Sequence, residues 1–203
     1  NIFLFTYLHF CDIINIVLNL QGGYKMHIPS HISSVLDVLS SNGFEGYLVG
    51  GCVRDSILGI EPKDYDVTTN AVPEDIKKAL SDFRTIDTGI DFGTVTAISD
   101  GNPIEITTYR IDGEYSDNRR PESVKFTSML SEDLCRRDFT INAMAICLNS
   151  ARFGELVDPF DGMLDLEDRI IRTPLEPGIT FSDDPLRMLR CIRFATQLNF
   201  YIE

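Results

Sequence analysis

Apolar residues Ile32, Val35, Leu36 and Leu39 recur at helical spacing over residues 29–41, and Asn42-Gly43 ends the run as a C-cap does. A short apolar strand, "YLVG", follows at residues 47–50, and "CVRDSILG" then returns to helical spacing with Gly59 closing it. "YDVTT" alternates as a strand, Pro73 opens a helix over "EDIKKALSDF", and "GTVTAI" (93–98) and "IEITTYR" (104–110) read as two more strands. Residues 111–123, "IDGEYSDNRRPES", have no apolar period and contain Gly and Pro, which predicts a mobile loop. Helical periodicity then runs through Leu134, Phe139, Ala143 and Ile146, and a stronger helix is expected from about Pro185, over "PLRMLRCIRFATQL".

Short strands intermixed with helices imply an α+β class, a small mixed sheet flanked by helices, turning all-helical toward the end. Three segments are expected: residues 1–25, a unit over 26–150, and 151–203 as its end and the start of a helical region that breaks off at "NFYIE". Residues 1–25 are apolar, but Asp12, His9 and three asparagines interrupt them and no Lys or Arg precedes them, which argues against a membrane span or signal peptide. Met26 stands directly before a normal domain start, so residues 1–25 are expected to come from a misassigned start site and to lie outside the fold.

With 43% apolar side chains the 203 residues can bury a real core. The net charge of -13 excludes a protein that coats nucleic acid through a basic surface, so any polynucleotide contact should be local. Five scattered cysteines, with no C-x-x-C pair and no histidine at metal-site spacing, predict free thiols in a reducing, cytoplasmic setting.

The chemistry concentrates in "YLVGGCVRDSILGIEPKDYDVTTN", residues 47–70. Gly50-Gly51 between a strand and a helix offers backbone N–H groups and a positive helix end to a phosphate, and Arg54 one turn in adds a charged donor. If Asp64 and Asp66 share a strand, their carboxylates leave one face roughly 7 Å apart, a spacing that suits a hard divalent cation such as Mg2+. Glu105, inside an otherwise apolar strand, is the candidate third carboxylate, since an unpaired glutamate buried there would be costly. Two metals so held stabilise the attacking and leaving oxygens of nucleotidyl transfer.

An apolar residue, Gly-Gly, twelve residues, then Asp-apolar-Asp-apolar resembles the nucleotidyltransferase superfamily that includes DNA polymerase β. More narrowly, the chain resembles the class II tRNA nucleotidyltransferases (CCA-adding enzymes) and their bacterial poly(A) polymerase relatives. "LVGGCVRDSILGIEPKDYDVTT" is similar to the family's first motif, "RIDGEYSDNRRP" to its flexible-loop motif, "RRDFTINAMA" to its third and "SDDPLRMLRCIRF" to its base-selecting motif. The resemblance implies a polymerase-β-like head followed by the start of a helical neck. It implies that Asp64 and Asp66 bind metal and activate the RNA 3′-hydroxyl, that Gly51 and Arg54 contact the nucleotide, and that Arg137, helped by Arg136, holds phosphate or ribose. It places Asp184, Arg187, Arg190 and Arg193 at the nucleotide, with Asp184 and Arg187 reading the base.

Two readings of that last group stand side by side. Asp184 before Pro185 is also a good helix N-cap, and Arg193 falls about half a turn from Asp184 on helical geometry, where it would face phosphate or solvent. Asp138 likewise reads either as a helix cap or as a coupling residue with Asn142. Asp183-Asp184 departs from the Glu-Asp usual in the family but keeps the second acid. The activity implied is addition of CMP and AMP, from CTP and ATP, to the tRNA 3′ end. Poly(A) synthesis, CC-only or A-only addition, and a non-catalytic nucleotide-binding module are the alternatives.

Overall fold

The computed structural model describes residues 16–19, 25–113, 115 and 121–203. Strands β1 (Ile16–Asn19) and β2 (Lys25–Ile28) form an antiparallel hairpin, with Ile16 opposite Ile28. Met26 and Ile28 are fully buried, so the expected boundary at Met26 cuts through paired backbone; most of residues 1–25 lies outside the described residues. Helix α1 (Ser30–Ser41) buries the four predicted apolar positions and ends at Asn42, with Gly43 at φ 83°.

β3 (Tyr47–Val49) leads into α2 (Gly51–Ile57), and β4 (Asp66–Thr69) into α3 (Pro73–Ala79). β5 (Arg84–Ile86), β6 (Thr94–Ser99) and β7 (Asn102–Thr108) follow, then a hairpin of β8 (Arg110–Asp112) and β9 (Val124–Phe126). β8 takes the first two residues of the segment expected to be a mobile loop, 111–123, and β9 begins directly after its end; residues 114 and 116–120 lie outside the described residues.

A second expectation needs correction. Residues 131–148 are not one helix: α4 (Leu130–Cys135) stops early, a 3-10 turn spans Thr140–Asn142, and β10 (Ala145–Cys147) is a strand. Phe139, Ala143 and Ile146 are all fully buried, and residues enclosed on every side carry no periodicity that separates helix from strand. β11 (Leu156–Val157), α5 (Gly162–Asp168), β12 (Ile170–Ile171), α6 (Pro177–Asp183), α7 (Leu186–Leu198) and β13 (Tyr201–Ile202) complete the order.

Seven strands make the main sheet, in the order β11-β10-β3-β4-β7-β6-β5. β4 and β7 run parallel, and the other neighbours run antiparallel. β3 is buried along its whole length because both sheet faces are covered. Leu48, Val67, Ile104 and Ile106 join the main core with α1, α2 and α3; Tyr47, Val49 and Tyr109 join a smaller core with Leu134 on the opposite face. Asp66 opens β4 in the middle of this sheet, on that second face. α5 closes against the 3-10 turn: a Cβ on Gly162 would lie 2.5 Å from the Thr140 carbonyl oxygen, and Asp165 accepts from Thr140 Oγ1 at 2.6 Å.

Candidate active site

The chain turns from β3 into α2 at Gly50, where φ 81° and ψ -133° demand glycine. Its bare Cα lies between charged groups: a Cβ there would come within 3.4 Å of Arg137 Nη1 and 4.0 Å of Asp66 Oδ2. Gly51 opens α2, and Gly50 and Gly51 both line a cleft of about 710 Å³. Arg54, one turn on, is largely buried and already engaged. It donates to Asn142 Oδ1 at 2.6 Å and to Asp55 Oδ1 at 2.8 Å, and its guanidinium lies 4.9 Å from the Phe194 ring centroid.

Asp64 and Asp66 both face this cleft, but by different means. Asp66 is the first residue of β4, while Asp64 sits in the turn before it, so strand alternation does not place Asp64 as expected. Asp66 lies in register with Val49 on one side and Glu105 on the other, which puts Glu105 on its face of the sheet. Glu105 is exposed rather than buried, and it stands outside the cleft lining. The anticipated penalty for an unpaired buried glutamate therefore does not apply. Although Asp66 opens onto the cleft, the enclosing protein raises its pKa; Glu105 and Asp64 push the same way and Arg137 opposes them.

Among the described residues no three His, Cys, Asp or Glu side chains converge to hold a metal ion. Glu105 thus does not complete a three-carboxylate cage. Asp64 and Asp66 still fit Mg2+, which binds through one or two carboxylates and takes its other oxygens from phosphate and water. Cys52, at the cleft floor, has its thiol pushed up to about 12 by burial and by the Asp66 carboxylate, so it stays a protonated packing group.

Arg136 and Arg137 of the cleft lining rest on Asp133, a fully buried acid in the first turn of α4 that sequence reading did not single out. Asp133 accepts from Arg136 Nη2 at 2.8 Å, from Arg137 Nη2 at 3.1 Å and from the Arg110 backbone N–H at 3.3 Å. Burial works against its charged form, but Arg137 and Arg136 outweigh that and hold its pKa below the ordinary 3.8. Its spacing of three and four residues before Arg136 and Arg137 is the signal that could have revealed it. Asp112 of β8 extends the cluster, pairing with Arg110 at 3.0 Å, lying 3.8 Å from Arg136 and accepting from Tyr115 Oη at 2.8 Å.

α6 and α7 bring up the last group. Asp184 links the two helices and spends one oxygen on the Leu186 N–H, at 3.0 Å, while the other lies 4.0 Å from Arg187 Nε. Asp184 therefore bonds to the backbone at the start of α7 and also lines the cleft. Arg187 also donates to the Arg136 carbonyl at 3.0 Å, and Arg190 pairs with Asp138 Oδ2 at 2.6 Å. Asp138 Oδ1 takes the Asn142 side chain at 3.0 Å, and Asn142 holds Arg54. A chain of contacts thus runs from Arg190 through Asp138 and Asn142 to Arg54 across the cleft, and Asp138 does not cap the 3-10 turn that follows it. Arg193 lines the cleft beside the others, with its guanidinium 4.9 Å from the Phe194 centroid. The half-turn argument against it fails because α7 begins at Leu186, leaving Asp184 off the helix.

All the predicted residues except Glu105 therefore meet in one cleft. Phe194, which underlies three arginines, and the turn with Ile60, Glu61 and Lys63 are further lining groups that pattern reading missed.

The description of the Poly A polymerase head domain family matches residues 46–172. A CCA-adding enzyme of Lactiplantibacillus plantarum is 47% identical over 169 residues, covering 83% of this chain and 40% of its own length. That of Ligilactobacillus salivarius is 43% identical over 188 residues, 93% of this chain and 44% of its own. The chain thus spans less than half of each of these curated relatives. Among solved structures, the Bacillus stearothermophilus CCA-adding enzyme in complex with CTP superposes with a TM-score of 0.74 at 38% identity, over 85% of this chain and 40% of that one. The Thermotoga maritima CCA-adding enzyme complexed with tRNA gives 0.68 at 33%, over 84% and 38%. The fold is α+β and polymerase-β-like, and the chain belongs to the Poly A polymerase head domain family.

Proposed function

We propose that the cleft is a nucleotidyl-transfer centre and that the protein adds CMP and AMP, from CTP and ATP, to the 3′ end of tRNA. One observation carries this reading: Asp64 and Asp66 face the same cleft as the Gly50-Gly51 turn and five arginines beyond Arg54. The likeness to CCA-adding enzymes, one of them solved with CTP and another with tRNA, supports it.

In this reading Gly50 and Gly51 let the triphosphate approach the backbone closely, and Arg137, poised above Gly50, neutralises it. Asp64 and Asp66 orient the attacking 3′-hydroxyl and hold divalent metal. Mg2+, when bound, would supply charge to the attacking and leaving oxygens. Glu105 acts from outside the cleft, through its charge on Asp66.

Arg187 and Asp184 offer donors and an acceptor side by side. Cytosine and adenine each present an amino donor next to a ring-nitrogen acceptor, whereas uracil and guanine present a carbonyl next to an N–H; one carboxylate beside one guanidinium therefore favours CTP and ATP. Arg190 and Arg193 hold the phosphate and ribose edge. Among the described residues no helix is long and apolar enough to cross a membrane. The free thiols of Cys52, Cys135, Cys147 and Cys191 support a reducing, cytoplasmic setting.

The test is incubation of the full-length gene product with tRNA lacking its 3′ terminus, Mg2+ and labelled CTP or ATP. The expected product gains CCA and then stops. A run of A residues would favour poly(A) synthesis, and bound nucleotide without transfer would favour a binding module. Asp66→Ala should lower the rate by at least about 10²-fold, the scale of removing a preorganised charge centre, while the far-ultraviolet circular dichroism is unchanged.

A further inference from the structure

Of the basic side chains lining the cleft, Arg54, Arg136, Arg137, Arg187 and Arg190 are engaged by side-chain or backbone oxygens, and Arg193 lies over Phe194. Lys63 differs from these. It is exposed, has no ion-pair partner among the described residues, and lines the cleft from the turn that carries Asp64. Ile60, in the same turn, adds an apolar side chain that is 49% exposed to the cleft lining.

This turn is built to hold its shape. The Ile60 N–H donates to the Asp55 carbonyl at 2.8 Å after Gly59 at φ 71°, and Tyr65 Oη donates to the His27 carbonyl at 3.1 Å. Its two ends are thus tied to α2 and to β2, so Lys63 and Ile60 are presented on a fixed frame.

In-line transfer places the attacking hydroxyl and the departing pyrophosphate on opposite sides of the reacting phosphorus. With the triphosphate assigned to the arginines and Gly50-Gly51, the part of the cleft lined by Ile60, Glu61 and Lys63 is left to the acceptor strand. There its phosphates meet the carboxylates of Glu61, Asp64 and Asp66 and need a cation. Resting on the transfer reading above, we infer that Lys63 is the positioning residue for the acceptor strand. It neutralises a phosphate just 5′ of the terminal ribose, while Ile60 supports the apolar face of the terminal nucleotide.

Lys63 is exposed, so Lys63→Met should fold normally. In the full-length gene product the KM for tRNA should rise about fivefold, with the KM for CTP unchanged. The log-log dependence of tRNA binding on salt, measured by filter binding, should lose about 0.7 of slope, and Lys63→Arg should restore it. An unchanged tRNA KM and salt slope, or an equal rise in the KM for CTP, would overturn the assignment. If the unaltered protein adds no nucleotide to tRNA, the transfer reading falls, and the filter-binding comparison alone decides Lys63.

Discussion

At the scale of single residues, the least conspicuous acid has the largest structural task. Asp133 is wholly enclosed, and both arginines of the third motif depend on it for direction. Asp133→Asn should cost about 3 kcal/mol in urea unfolding, near the low end for removing one partner of a buried pair. Arg136 and Arg137 keep 17% and 18% of their side-chain surface in water, which softens the loss. The pH dependence follows from the depressed pKa. An acid held below 3.8 contributes its stability above that value and loses it as pH falls through the folded pKa, so the gap between the parent and the variant should be full at pH 7 and narrow beneath pH 3.8. A gap that stays constant with pH would show that the carboxylate charge is not what matters. Activity should fall as well, since Arg137 would lose its orientation over Gly50.

Elements show where pattern reading succeeds and where it stops. α1 was fully legible because one of its faces is wet and the other dry, and the strands carrying Val67 and Ile106 because they alternate. β5 has only three residues, two of them exposed, and β8 and β9 are three residues each, too short for their alternation of apolar and polar residues to register as a pattern. The site was legible as residue types at fixed spacings, but not as partners. That Arg54 is spent on Asp55 and Asn142, or that Asp138 faces Arg190 from 52 positions away, depends on chain crossings that no local pattern records.

The junction of β3 and α2 is the most demanding of these elements. Gly50→Ala forces a Cβ into a left-handed conformation and to within 3.4 Å of Arg137, so it should destabilise the fold by about 1–2 kcal/mol. It should also raise the KM for CTP. Thermal melts and nucleotide titrations check the two effects separately.

For the whole molecule, charge is distributed against the bulk trend. A net charge of -13 accompanies a cleft lined by six arginines, so on the proposed function tRNA is repelled by the molecule's overall charge and attracted at the cleft. Residues 26–203 alone should therefore bind tRNA only weakly at physiological salt, and filter binding with sub-micromolar affinity would contradict this. α7 also exposes Leu186, Met188, Leu189 and Ile192 on its outer side, with Tyr201 and Ile202 of β13 nearby in sequence. An apolar surface of this kind is uncommon on a self-sufficient monomer.

The placing of β3 between β4 and β10 has a consequence for how the protein is made. Asp66 stands on a strand whose neighbour, β3, is completed by residues 145–147, nearly a hundred positions downstream. At about 5–20 residues per second, the ribosome needs roughly 5 to 20 seconds to deliver β10 after β3 has emerged. Over that interval the Gly50-Gly51 turn and Asp66 exist as nascent chain without the completed sheet that positions them. The time at which the proposed site takes shape is therefore set by translation through residue 147, and a pause in the codons before residue 145 would leave an apolar β3 edge uncovered for longer.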